Sequence, residues 1–377
     1  MSSPYATTSD TTSRWGVRRW LAGAARWLTT PLTPDDYLRL VNPLWPAGGL
    51  CGRVEAVRSE TSDAVTLVIR PGRHWVPHRP GQWVRVGVDI AGVRHWRGYS
   101  ISSPPDRPDG CITITVKAVP GGLVSGHLLR RVARGTILGL GRPEGEFVLP
   151  EPPPSRLLFL TAGSGITPVR PMLHGLLAHG AATVAAGAGS RRRAPDVVLV
   201  HSAPTPEDVI FGEELRGLAA RFPNLRLHER HTRTEGRLKP ADLPGLCPDW
   251  TERSVWACGP PEMLDEVTAH WSGPADRLHV ERFRLATPAT SNTGGRVRFT
   301  RSRREATADG GTSLLVAGEG AGVLMPSGCR MGICHGCVAR LSSGRVRDLR
   351  TGRIHGEEGD LVQTCVSAAA GPVEIDL

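Results

Sequence analysis

Four of the eight cysteines crowd the last fifty residues of the 377-residue chain. Cys329, Cys334 and Cys337 follow the spacing C-x4-C-x2-C, and Cys365 comes after a further twenty-seven residues. Thiolates at this spacing can hold two bridged irons as a [2Fe–2S] cluster. Gly328, Gly332 and Gly336 let the loop wrap closely enough for backbone N–H groups to point at the sulfides. Those bonds and the local charge set the potential, about −400 mV for this cluster class. A zinc ribbon would need two short C-x2-C knuckles instead of one continuous run. Such a cluster carries one electron and does no substrate chemistry alone, so another part of the chain must feed it.

Upstream lie motifs suited to flat rings and phosphates. Thr161-Ala162-Gly163-Ser164-Gly165-Ile166-Thr167-Pro168 follows the apolar run Leu157-Leu158-Phe159-Leu160 and precedes a helical pattern. Strand, glycine loop and helix in that order make an anion site from the first N–H groups of the helix, and Pro168 suits a first helical position. This is not the G-x-G-x-x-G fingerprint. Arg97-Gly98-Tyr99-Ser100 offers a guanidinium fork for phosphate, an aromatic face for a flat ring and a small hydroxyl. Gly121-Gly122-Leu123-Val124-Ser125 opens a second helical segment, Cys258-Gly259-Pro260-Pro261 follows the run 254–257, and His279-Val280-Glu281-Arg282-Phe283 closes the region.

The order and spacing of these motifs resemble the ferredoxin–NADP reductase superfamily. The resemblance implies that Arg97 meets a flavin phosphate, Tyr99 packs on the flavin ring and Ser100 hydrogen-bonds near flavin N5. It places Gly122 and Ser125 at the flavin phosphates, in a form that suits FAD better than FMN. Thr161, Gly163, Gly165, Thr167 and Pro168 would meet the pyrophosphate of NAD(P)H. Cys258, Gly259 and Pro260 would lie beside the nicotinamide, and Phe283 would cover the flavin face. Ser100 and Cys258 are thus the two residues expected at the reacting rings. The tail is similar to plant-type ferredoxins, with Cys329, Cys334, Cys337 and Cys365 as ligands. The order flavin, nicotinamide, then iron–sulfur resembles phthalate dioxygenase reductase-type proteins. Segments 32–38 and 42–45 look more like actinobacterial reductases that serve membrane acyl-CoA desaturases.

Around these motifs the chain divides by composition. An N-terminal extension (1–46) precedes a flavin domain (47–152) of β-branched runs at 64–69, 83–88 and 112–116, expected to close as an antiparallel barrel. Pro152-Pro153-Pro154 marks the next boundary. Residues 153–286 alternate strand and helix, the rhythm of an α/β parallel-sheet NAD(P) domain, with helices expected at 169–179 and 212–221 and a mobile loop at 187–195. A linker (287–295) leads to a β-grasp ferredoxin domain (296–377), with a strand at 296–302, a helix at 313–321 and a closing strand at 373–375. His201-Ser202-Ala203 lacks the carboxylate that would select NADH, while Arg230 and Arg233 can meet a 2′-phosphate. NADPH is therefore the expected donor, with NADH the alternative.

The net charge of +10 comes from arginines, with only Lys117 and Lys239 as lysines. No aromatic-basic repeat or zinc-finger spacing accompanies it, which argues against nucleic acid. No uncharged apolar run reaches the ~18 residues of a membrane span. Scattered Cys51, Cys111 and Cys247 and the absence of a convincing secretory signal favour the cytoplasm. In residues 14–28, Val17, Trp20, Leu21, Ala24, Trp27 and Leu28 share one helical face beside Arg14, Arg18, Arg19 and Arg26. Such a helix either packs on its own chain or lies on the inner face of an anionic membrane. The expected protein is a monomeric reductase passing electrons to a fatty-acyl desaturase or hydroxylase. A Rieske oxygenase or cytochrome P450 is the alternative acceptor, and a redox sensor or adaptor is the rival of a different class. If the basic helix binds membrane, deleting residues 1–30 lowers activity with a membrane fraction but spares reduction of a soluble acceptor. Equal loss, or none, in both assays counts against it.

Overall fold

The computed structural model describes residues 41–42, 44–45, 50–90, 92–185, 194–283, 294–328, 330, 332, 335–349 and 352–377. The helix expected at 14–28, all but the last two residues of the 187–195 loop and of the 287–295 linker, and Cys329 and Cys334 lie outside them.

Six strands build the first unit: β1 (Cys51–Thr61), β2 (Ala64–Pro71), β3 (Trp83–Ile90), β4 (Val93–Ser100), β5 (Ile112–Lys117) and β6 (Ile137–Glu144). They pair antiparallel in the order β4-β3-β6-β1-β2-β5. The two edges then meet. Ile101, just past β4, bridges Ile114 of β5, and the Ser102 N–H donates to the Thr113 carbonyl at 2.8 Å. The sheet therefore closes into the expected barrel. Its interior is filled by β-branched and leucine side chains such as Val54, Leu67, Val84, Ile114 and Leu138. At the seam, hydroxyls form a buried ladder: Ser102 Oγ lies 2.9 Å from both Thr113 and Thr115, and Thr115 lies 2.8 Å from Thr66. These mutual bonds satisfy groups that would otherwise be costly to bury. Helix α1 (Leu123–Arg130) docks Val124 and Leu128 into the barrel core.

The second unit is a parallel sheet of β7 (Arg156–Ala162), β8 (Asp196–Ala203), β9 (Leu225–His231), β10 (Ser254–Cys258) and β11 (Leu278–Glu281), ordered β11-β10-β7-β8-β9. The helices α2 (Val169–Ala185), α3 (Gly212–Arg221) and α4 (Pro261–His270) follow strands of this sheet. Both sheet faces are covered, so the strands read as continuous apolar runs: Leu157 and Phe159 serve one core, Leu158 and Leu160 the other. Strand order reverses between β7 and β10, opening a crevice at their carboxyl ends, where open α/β sheets place ligands.

The third unit pairs the hairpin β12 (Gly295–Phe299) and β13 (Arg304–Ala308) with β17 (Ser367–Ile375), which runs parallel to β12. β14 (Val338–Asp348) lies antiparallel to β17 and carries β15 (Ile354–His355) and β16 (Leu361–Gln363). Helix α5 (Leu314–Gly320) packs Leu314, Leu315 and Ala317 into a core with Phe299 and Ile375, completing a β-grasp. The strand expected over 296–302 stops at Phe299, because the chain turns there and Arg303 adopts φ 54°.

At the crevice the backbones of two loops touch. A Cβ on Gly165 would run into the Cys258 carbonyl, so only glycine lets the β7–α2 turn lie against the end of β10. Gly165→Ala is expected to cost about 1–3 kcal/mol in chemical denaturation. Gly217→Ala, on an exposed stretch of α3 with open space around it, should gain about 0.5–1 kcal/mol.

Candidate functional site

A cavity of about 1000 Å³ opens where the three units meet. The end of β4 supplies Arg97, Tyr99 and Ser100, the start of α1 supplies Gly122 and Ser125, and the β7–α2 turn supplies Gly163, Ser164 and Thr167. Gly259, Pro260, Glu281 and Phe283 line it from the ends of β10 and β11. The third unit contributes Ser313, Val316, Arg330 and Cys365.

On the barrel side, register fixes the presentation: Arg97 pairs with Val86, Tyr99 with Val84 and Ser100 with Trp83. Ser100 is buried, and its Oγ has no hydrogen-bond partner. Arg97 forms no ion pair among the described residues; its guanidinium donates to the Trp96 carbonyl at 2.8 Å. Burial and the nearby charge of Arg330 push Arg97 down to about 10, and burial raises the Tyr99 hydroxyl. A guanidinium without a carboxylate and an orphaned buried hydroxyl are what a phosphate-bearing ring cofactor would satisfy. Gly122 caps α1 without a side chain and no acidic residue stands in the first turn, which leaves the helix N–H groups open to an anion. Ser125 Oγ accepts from the Val119 N–H at 3.1 Å, holding the loop that leads into this helix.

On the nucleotide side, Thr161 does not face the cavity. It is fully buried, and its hydroxyl lies 2.8 Å from His201 Nδ1 across β8. Thr167 donates its hydroxyl to the Ser164 carbonyl at 2.9 Å, tying the glycine turn to the start of α2, and Pro168 immediately precedes that helix. Cys258 is fully buried and its thiol is raised by burial. Arg230 is engaged by the Glu235 and Gly236 carbonyls at 2.7 and 3.1 Å and by Asp242 at 3.5 Å. Arg233 is exposed, its backbone N–H bonded to Pro204 at 3.1 Å.

Glu281 carries more chemistry than its motif revealed. It pairs with Cys258 across β10 and β11 and lines the cavity. Burial raises it to about 8, and Oε2 has no partner. At neutral pH a protonated carboxyl therefore stands beside the Cys258-Gly259-Pro260 turn. His201 is the second residue whose role the sequence did not expose; burial holds it at about 4, so it stays neutral.

In the third unit, Cys337 and Cys365 are buried with sulfurs 3.1 Å apart, too far for a disulfide. The hydrogen bond shared by the two sulfurs draws Cys337 below the ordinary thiol range, toward the thiolate a metal requires. Thr364 Oγ1 donates to the Cys337 carbonyl at 2.9 Å and fixes the pair. The two residues fit a cluster ligand pair, and Cys365 reaches the common cavity.

Three family models match in the same order as these units: an oxidoreductase FAD-binding domain over residues 57–149, an oxidoreductase NAD-binding domain over 159–269 and a 2Fe-2S iron-sulfur cluster binding domain over 297–370. An NADPH oxidoreductase of Mycobacterium tuberculosis is 48% identical over 99% of this chain and 96% of its own length. The chain belongs to the ferredoxin–NADP reductase superfamily. It is an NAD(P)H-dependent flavin and iron–sulfur oxidoreductase, with FAD and a [2Fe–2S] cluster as its cofactors. A glycine betaine monooxygenase reductase subunit of Pseudomonas aeruginosa is 31% identical, covering 79% of this chain and 87% of that one. The solved phthalate dioxygenase reductase superposes with a TM-score of 0.57 at 25% identity, covering 88% of this chain and 98% of that one.

Glu281 gives this reductase a testable pH signature. Its folded form keeps a proton from 4.5 up to about 8 that the unfolded chain releases, so stability falls as pH rises through that window. His201 acts in the opposite sense, costing stability as pH drops from 6.5 to about 4. Glu281→Gln should remove the fall in melting temperature between pH 4.5 and about 8, leaving the rise that His201 gives between about 4 and 6.5 unopposed.

Proposed function

We propose that this reductase takes electrons from NADPH and delivers them singly to an oxygen-activating partner, first of all a membrane fatty-acyl desaturase. The observation that carries the reading is the common cavity, whose walls run from the Ser100 hydroxyl to the Cys365 ligand. Bound FAD and a [2Fe–2S] cluster would supply the chemistry that splits the electron pair of a nicotinamide into single electrons. The chain's residues orient and insulate that transfer. Arg97 and the N–H groups after Gly122, with Ser125 holding their loop, bind the flavin phosphates. Tyr99 and Phe283 enclose the ring, and Ser100 donates to its reactive edge. Gly163, Gly165, Thr167 and Pro168 shape the pyrophosphate site, which Thr161 braces from below through His201. Cys258, Gly259 and Pro260 set the nicotinamide against the flavin, and Glu281 offers a neutral proton donor at the same edge. Cys329 and Cys334 complete the ligand set of Cys337 and Cys365.

The desaturase reading rests on segments 32–38 and 42–45 and on the basic face of residues 14–28. The mycobacterial NADPH oxidoreductase spans 99% of this chain, so its match takes in this extension, whereas the betaine monooxygenase reductase covers 79%. A Rieske oxygenase or a cytochrome P450 is the second reading; the glycine betaine monooxygenase and phthalate dioxygenase reductases support an oxygenase as acceptor. Reconstitution decides between them: NADPH-driven turnover with desaturase-bearing membranes but not with a purified Rieske oxygenase supports the first, and the reverse overturns it. Donor choice is tested separately. With an artificial one-electron acceptor, Arg233→Ala combined with Arg230→Ala should lower kcat/KM for NADPH about 10- to 100-fold and leave NADH unchanged, as expected for lost charge-assisted bonds.

A further inference from the structure

Arg330 belongs to the cluster loop, yet it lines the same cavity wall as Arg97, Ser100 and Gly122 of the barrel. Its Nη atoms donate to Glu319 of α5, one of them at 2.8 Å to Oε2. Its Nε is buried with no hydrogen-bond partner. The residue adopts φ 61°, a left-handed conformation that costs energy for any side chain but glycine. Two guanidiniums from different units thus face one cavity: Arg330 pairs with Glu319, and Arg97 has no ion pair among the described residues. The charge of Arg330 also contributes, after burial, to the depression of Arg97.

We propose that Arg330 is a second guanidinium for the phosphate group of FAD, reached from the iron–sulfur unit, so that bound flavin fastens the cluster unit onto the barrel. An anion between the guanidiniums removes their repulsion and occupies the free Nε. Loading of the flavin and docking of the cluster then become one linked equilibrium, because each supplies contacts the other needs. The proposal rests on FAD occupying this cavity, and its test separates the two ideas.

Arg330→Gln in the full-length chain, with cluster content checked by visible absorbance, should raise the Kd for FAD about 10- to 100-fold. The Kd for NADP+ should stay unchanged. Small-angle scattering should show FAD compacting the wild-type chain but not the variant. Glu319→Gln removes the competing carboxylate and should tighten FAD binding, an opposite sign that mere damage to the cluster loop would not produce. If FAD binds both variants as it binds wild type, or if only NADP+ affinity changes, the proposal is overturned. If FAD fails to bind the wild-type chain, the flavin reading itself falls.

Discussion

One guanidinium joins the two units between which electrons first move. Arg170, in the first turn of α2, donates to the Ser102 carbonyl at 2.5 Å and forks onto Glu214 of α3 at 2.9 Å. Burial would raise the Glu214 carboxyl, but bonds from His174 and Arg170 outweigh it and hold the group at about 2. The acid therefore stays ionised wherever the protein is folded, and the link is present throughout the neutral range. Ser102 stands two residues beyond Ser100, and Arg170 three residues beyond Thr167. The same contact sets the end of β4 against the glycine turn of the parallel sheet. Arg170 also stacks over Phe211 at 4.7 Å, so its apolar stem and its charge are both used.

The cavity that this joint holds open has an uneven charge. On the barrel side stand the Arg97 guanidinium and bare helix N–H groups, which suit phosphates. At the turn after β10 the groups are neutral: the Cys258 thiol and the Glu281 carboxyl both keep their protons because they are buried. A neutral buried patch beside a basic rim gives the cavity two electrostatically distinct ends. The cluster unit closes the far side with Arg330 and Cys365, so the Ser100 hydroxyl and the Cys365 sulfur line one cleft.

Much of this was legible in the chain itself. The helix at 212–221 and the strands at 64–69, 83–88 and 112–116 stand where periodicity placed them, because each repeats a pattern that one neighbour suffices to bury. β4 escaped notice because its residues are mostly half-buried around His95, Trp96 and Arg97, without apolar alternation, and its pairing with β3 supplies what its composition does not. β11 and β16 are too short to show a period at all.

By itself the sequence determined the chemistry. Cysteine spacing, a glycine loop between strand and helix, and an arginine–tyrosine–serine run are local arrangements, and residue type with spacing is enough to specify what each can hold. Only the tertiary structure decided which of these groups meet. Thr161 turns sideways into His201, Glu281 stands beside Cys258 through strand register, and Arg330 of the cluster loop lines one cavity with Arg97. Ionisation and proximity are set by neighbours far away in the chain, and no local pattern encodes how much water those neighbours exclude.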